Sequence, residues 1–238
     1  MSAELVAIYV INVKEFTARK QLIESQLSKL NLNAEFILDW DKEELTTEII
    51  EQFFANHQLS IGQMSCATKH IVALRHITKH KNGFCLVLED DALFSENFLQ
   101  GLSYALKESA NFPGPKVIFI GSGGNFYTPK SQQIKGQHLY IGNRGRFADS
   151  YIIDASTAHL RLDWIAKYKV SQPIDNQFET IDKQLGIKML WLEAPVVEQG
   201  SKAGVFDSSL EPAPPPWLQK ILFGWEKIKR KYIYQLWK

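Results

Sequence analysis

Residues Phe84 to Leu88 form an unbroken apolar run that stops at three consecutive carboxylates, Glu89-Asp90-Asp91. A run of that length reads as a strand buried on both faces, as in a sheet with helices on either side. The acids then stand at its carboxyl end, the edge of an open α/β sheet where ligands bind. Adjacent carboxylates repel one another unless a cation or a hydrogen-bonding ligand compensates them. Hard oxygen donors suit Mg²⁺ or Mn²⁺, ions that commonly bridge protein carboxylates to phosphates. The plainer alternative is a solvated strand-to-helix turn in which Asp90 or Asp91 caps the following helix.

The rest of the chain alternates in kind. Leu5 to Ile11 reads as a first buried strand, Thr17 to Leu30 as a helix, Ala34 to Leu38 as a second strand and Glu43 to Phe54 as helical. Gly62 to His80 suits a helix that leads through Lys81-Asn82-Gly83, a turn signal, into the strand ending at the acids. Glu96 to Ser109 suits a helix, Val117 to Ile120 a strand, Tyr151 to Ile153 a strand, Ser156 to Lys167 a helix and Ile187 to Leu192 a late strand. This alternation predicts an α/β fold with a mainly parallel central sheet flanked by helices. Between residues 121 and 135 lies a polar loop opening with Gly121-Ser122-Gly123-Gly124, which lacks the spacing of a P-loop or a dinucleotide fingerprint.

Composition narrows the class. With 238 residues, 45% hydrophobic and 22% charged, the chain can bury a substantial core. A net charge of +1 gives no global argument for nucleic acid. Two cysteines without a closely spaced partner, Cys66 and Cys85, suggest free thiols in a reducing compartment. The amino terminus has no secretion-signal pattern, so a cytoplasmic location is expected. The organisation reads as a catalytic body over 1–210, a Pro-rich spacer over 211–216 and a basic, aromatic tail over 217–238. Six Lys or Arg against one Glu in that tail, interleaved with Trp217, Phe223, Trp225 and Trp237, suit an amphipathic helix lying on an anionic membrane surface. Packing on the body or on a second subunit is the competing account.

Several motifs resemble glycosyltransferase family 25, the lipooligosaccharide galactosyltransferases and their relatives. Val10-Ile11-Asn12-Val13 with Arg19 is similar to the family's "INL…R" opening, and residues 62–70 to its "GEIGCxxSH" segment. Leu86 to Ala92 resembles "LILEDDA", Ser150 to Ile153 with Ala158 "AYLIS…A", Pro173-Ile174-Asp175 "PVD", and Val197-Glu198-Gln199 with residues 206–209 "VxQ…SD". The matches run in family order from about residue 6 to 210. Three positions depart from the pattern: Gln63 stands where the family has Glu, and Lys69 and Asp154 where it has Ser.

The resemblance implies a GT-A-like enzyme that transfers a hexose from UDP-galactose or UDP-glucose to a terminal sugar of lipooligosaccharide with inversion, using Mn²⁺ or Mg²⁺, at the inner face of the bacterial inner membrane. It implies metal ligation by Asp91, with Glu89 or Asp90 reaching the ribose or orienting the ion. It also implies donor-side roles for Asn12, Arg19, His70 and Gln199. An inverting transfer needs a base on the acceptor hydroxyl, for which Asp175 is the candidate and Asp207 the weaker one. Without the resemblance Asp175 would read as a helix cap, and Arg19 as an exposed helix charge. Cys66 and His70 are four apart and share a helix face; the sequence offers no second pair to complete a zinc site, so Cys66 reads as packing. Two rival classes remain: a metal-dependent nucleotidyltransferase or phosphohydrolase, and a non-catalytic membrane-associated sugar-nucleotide-binding protein.

Overall fold

The computed structural model describes residues 4–55 and 58–201, together with 225 and 229. The Pro-rich spacer, Asp207 and the basic tail as a segment lie outside the described residues.

Seven strands form the central sheet in the order β2-β1-β3-β7-β5-β8-β6. They are β1 (Leu5–Ile11), β2 (Glu35–Ile37), β3 (Phe84–Glu89), β5 (Lys116–Phe119), β6 (Leu139–Ile141), β7 (Ser150–Asp154) and β8 (Lys188–Leu192). A separate two-stranded ribbon pairs β4 (Ala92–Phe94) antiparallel with β9 (Val197–Gln199). Strands β1, β2, β3, β5 and β8 share one direction, whereas β6 and β7 run opposite.

Alternation along the central strands explains the two layers of helix. Tyr9, Ile11, Cys85 and Val87 face a core built with α3 (Ile61–Ile77), α5 (Ala155–Tyr168) and α6 (Ile174–Leu185). Ile8, Val10, Leu86 and Leu88 face the opposite core, built with α1 (Thr17–Lys29) and α4 (Phe98–Glu108). A strand whose side chains are buried on both sides has no polar face to show, hence the unbroken run 84–88. Each such Leu, Ile or Val removed from water contributes about 1.5–3 kcal/mol before entropy is charged against it.

The expected helix over 43–54 divides into a single 3-10 turn (Lys42–Glu44) and α2 (Thr47–Phe53). The Thr46 side chain accepts from the Ile49 amide and restarts the helix there, a local cap that apolar spacing does not reveal. The loop after β5 holds short 3-10 turns at Gly123–Asn125 and Lys130–Gln132, and then β6. The alternative in which Asp90 or Asp91 caps the next helix does not hold: β4 follows the acids, and α4 begins only after Asn97.

Two of the departures cap helices. Gln63 closes a capping box with Ser60, accepting from the Ser60 amide at 2.9 Å while its own amide donates to Ser60 Oγ at 3.2 Å. Asp154 caps α5, accepting from the Thr157 amide at 2.7 Å. Lys69, the third, caps nothing. It is buried, and its Nζ lies 2.8 Å from Asp41 Oδ1 and 2.8 Å from the carbonyl of Asp39.

Candidate functional site

The carboxyl ends of β1 and β3 converge with the start of β7. Strand periodicity decides where each acid points. Val87 faces the α3 side, so Glu89, two residues on, does the same; its Oε1 lies 3.6 Å from His70 Nε2 and 4.0 Å from Cys66 Sγ. Asp90 turns toward the opposite layer. There Asn12 Nδ2 donates to its Oδ2 at 2.8 Å and Arg19 Nη1 donates to its Oδ1 at 3.1 Å. Arg19 is therefore no solvated helix charge: its guanidinium serves a buried carboxylate. Burial pushes the Asp90 carboxyl up, while the Arg19 charge and the Asn12 hydrogen bond pull against it.

Asp91 is buried and clamped from the far end of the chain. The Ser201 amide donates to its Oδ2 at 3.0 Å and the Gly200 amide to its backbone carbonyl at 2.8 Å. Its Oδ1 makes no hydrogen bond. Gln199, opposite Ala92 in the β4–β9 ribbon, is thereby held next to the acids. Burial and the Glu89 charge both raise the Asp91 carboxyl.

A fourth acid, Asp149, which no motif in the sequence marks, joins them just before β7. Its backbone carbonyl accepts from the Glu89 amide at 2.8 Å, its Oδ1 accepts from Ser150 Oγ at 3.3 Å, and its buried Oδ2 has no partner. Burial, then the charges of Glu89 and Asp91, hold this carboxyl well above the usual range. The reversed direction of β7 places it there. Leu88 pairs with Ser150, so the beginning of β7 meets the end of β3; a parallel β7 would bring Asp154 to this edge instead.

Gly121, just past β5, makes room for the group. A Cβ at Gly121 would lie 2.3 Å from Ser150 Oγ and 2.9 Å from either carboxylate oxygen of Asp149. This close approach is what the first glycine of the 121–124 run supplies. Phe147, two residues before Asp149, adopts a positive φ of 56°, a conformation that costs a non-glycine residue about 1–2 kcal/mol.

His70 is fully buried behind Glu89. Its Nδ1 is 3.2 Å from the Tyr151 hydroxyl, and its ring forms a triangle of mutual contacts with the rings of Tyr151 and Phe178. Asp175 sits in the first turn of α6, after Pro173 as the cap, and its Oδ1 accepts from the Asn176 amide at 2.9 Å. It is half-buried. Burial raises its carboxyl, the Glu89 charge adds to this, and His70 opposes it. The same electrostatic neighbourhood thus holds Glu89, His70 and Asp175.

A cavity of about 170 Å³ opens beside these groups, lined by Asn12, Phe16, Arg19, Cys66, Glu89 and Asp90 among others. A larger recess of about 540 Å³ lies between α1 and β2. Glu24 is the one acid on its wall, so it offers no comparable chemistry.

A family model described as glycosyltransferase family 25 (LPS biosynthesis protein) matches residues 6–141, more than half of the chain. The chain belongs to glycosyltransferase family 25. The family match takes in Asn12, Arg19, Cys66, His70 and all three acids of the 89–91 run, and stops before β7. A protein of Acanthamoeba polyphaga mimivirus named "Putative glycosyltransferase R655" is 35% identical over 124 residues, which cover 50% of this chain and 38% of that relative. The family 25 chain is also similar in structure to the catalytic domain of Drosophila beta1,4-galactosyltransferase 7 in complex with xylobiose, with a TM-score of 0.41, 9% identity, and coverage of 90% of this chain and 78% of that one. A glycosyltransferase involved in glycosylation of the major capsid of PBCV-1 gives a TM-score of 0.44 at 6% identity, covering 93% of this chain and 100% of that one.

Proposed function

We propose that the protein is a metal-dependent, inverting hexosyltransferase that moves galactose or glucose from a UDP-sugar to a terminal sugar of lipooligosaccharide. The observation that carries this reading is a buried pair of orphaned carboxylate oxygens, Asp91 Oδ1 and Asp149 Oδ2, beside Glu89 at the sheet edge of a family 25 protein.

These donors fit Mn²⁺ or Mg²⁺. They are hard, buried oxygens without a hydrogen-bond partner, and a divalent cation would offset the burial and the acidic neighbours that raise their proton affinity. Asp91 and Asp149 would hold the ion through these oxygens, with Glu89 completing the set by rotation of its side chain. When bound, it would neutralise charge developing on the departing diphosphate. Asp90 has a different task. Both of its oxygens are engaged by Asn12 and Arg19, so it fixes the 89–91 turn against β1 and α1.

Pockets for whole drug-sized ligands run roughly 300–1,000 Å³. The cavity at about 170 Å³ therefore accommodates a portion of the donor, with Arg19 and Asn12 on its wall. Asp175 takes the proton of the acceptor hydroxyl as that oxygen attacks the anomeric carbon opposite the leaving UDP; its raised proton affinity makes it a better base near neutral pH. His70 orients Glu89 from behind, and Gln199 steadies the β9 end against Asp91. Residues 217–238 would place the enzyme on an anionic membrane surface beside a lipid-linked acceptor.

The deciding experiment incubates the full chain with radiolabelled UDP-galactose or UDP-glucose, Mn²⁺ and lipooligosaccharide. Label should appear on the acceptor, vanish with a chelator and vanish in Asp91→Asn. Release of nucleoside monophosphate without any labelled acceptor would sink the proposal.

A further inference from the structure

A second donor set of different chemistry adjoins the carboxylates. One donor atom from each of Cys66, His70 and Glu89 lies within 4.8 Å of the other two. Cys66 and His70 come from successive turns of α3, and β3 supplies the third member, which helical spacing alone lacks.

The separations suit a tetrahedral ion. Bonds of about 2.0–2.3 Å place neighbouring donors roughly 3.3–3.6 Å apart around zinc. His70 Nε2 to Glu89 Oε1 is 3.6 Å, and Cys66 Sγ to Glu89 Oε1 is 4.0 Å. Small side-chain adjustments close both. His70 is already arranged as a ligand: Nδ1 is taken up by the Tyr151 hydroxyl, and Nε2 is buried without a hydrogen bond and faces Glu89. A partner on the far ring nitrogen that fixes orientation is the usual support for a metal-binding histidine. Both cysteines are free thiols, and Cys66 lies on the cavity wall with Glu89, so an ion has a way in.

We propose that Cys66, His70 and Glu89 form a zinc site whose fourth position opens to the cavity. Thiolate and imidazole favour zinc over magnesium or manganese, which prefer oxygen. The Cys66 thiol proton passes to solvent as the zinc–sulfur bond forms. Glu89 belongs to both donor sets, so zinc withdraws it from the carboxylate cluster and antagonises nucleotide-sugar binding. That antagonism rests on the transferase reading; the zinc site does not.

The test titrates the reduced, metal-free full chain with Co²⁺ in the absence of nucleotide, then displaces it with Zn²⁺. A single equivalent should give tetrahedral d–d bands and a thiolate-to-cobalt charge-transfer band, both bleached by equimolar Zn²⁺. Cys66→Ser and His70→Gln should lose the bands while keeping the wild-type far-ultraviolet circular dichroism, and Asp91→Asn should keep them. A wild-type protein without the bands, or a charge-transfer band that survives Cys66→Ser, overturns the proposal. Should Cys66→Ser fail to fold, His70→Gln and the wild-type titration still decide it. Asp91→Asn separates the two readings, since a protein with intact cobalt bands but no Mn²⁺-dependent nucleotide-sugar binding has lost only the carboxylate site.

Discussion

Arg19 reaches from α1 across to the end of β3 and donates to Asp90 at 3.1 Å, with both side chains largely buried. Breaking a buried pair from one side leaves an uncompensated charge, which costs about 3–5 kcal/mol. Arg19→Ala should approach the lower end of that range, because Asn12 still serves Asp90. Arg19→Ala combined with Asp90→Asn should recover much of the loss. Urea denaturation of the two single variants and the double variant measures the coupling; additive losses would show that the pair does not stabilise the fold.

Asp149 sets a pH dependence. Its carboxyl is held well above the unfolded value by burial and by its acidic neighbours. The native state keeps a proton that the unfolded chain releases, so this contribution to stability is fully present below the ordinary Asp pKa of about 3.9 and is lost as pH rises through the folded value. Asp149→Asn should therefore raise the melting temperature at neutral pH in metal-free buffer and flatten the profile toward acid. An unchanged profile would mean that Asp149 titrates normally.

Manganese should act on the same balance with the opposite outcome for the variant. Wild-type protein should melt higher with Mn²⁺, since a ligand bound only by the native state stabilises it by mass action. Asp91→Asn and Asp149→Asn should show little shift. Transfer by Asp91→Asn should fall by at least about 100-fold, the scale seen when one preorganised electrostatic group is removed from a transition state. Equal Mn²⁺ shifts in all three proteins would place the ion elsewhere.

Gly121→Ala drives a methyl group into Ser150 Oγ and the Asp149 carboxylate. Overpacking of this kind costs about 1–3 kcal/mol. Chemical denaturation should show that loss, together with a diminished Mn²⁺ shift. Full retention of both would indicate that the β5–β7 junction yields easily.

Asp182 and Arg161 tie α6 to α5 through two short hydrogen bonds of 2.9 and 2.6 Å, and the guanidinium lies 4.1 Å from the centre of the Phe178 ring, whose edge meets His70. Asp182→Asn should destabilise the protein by about 3–5 kcal/mol by leaving a buried guanidinium unpaired. Equilibrium unfolding checks it; a change below about 1 kcal/mol, the scale of an exposed pair, would count against it.

Much of this architecture was legible in the residues. Unbroken apolar runs announced β1, β3 and β8 because a strand covered on both faces shows no alternation, and Leu86 to Ala92 announced an acidic sheet edge. Asp149 was not legible, since a strand's direction is set by pairing partners distant in sequence and not by its own composition. The short strands Ala92–Phe94 and Leu139–Ile141 carry too few residues to establish a period, and the break at Leu45–Thr46 depends on one hydroxyl. Apart from the family resemblance, Arg19 reads as a surface charge, because nothing local reveals a carboxylate 71 residues away.

β7 is the one strand hydrogen-bonded to both β3 and β5, and so it joins the β2-β1-β3 half of the sheet to the β5-β8-β6 half. During synthesis the first half must wait with the flank of β3 uncovered until residues 150–154 leave the ribosome, and an unpaired apolar strand edge invites aggregation. The nascent chain should then depend on chaperones up to that length and become protease-resistant soon after it, a transition that pulse proteolysis of ribosome-stalled chains would reveal. Resistance acquired well before β7 emerges would refute this order of assembly.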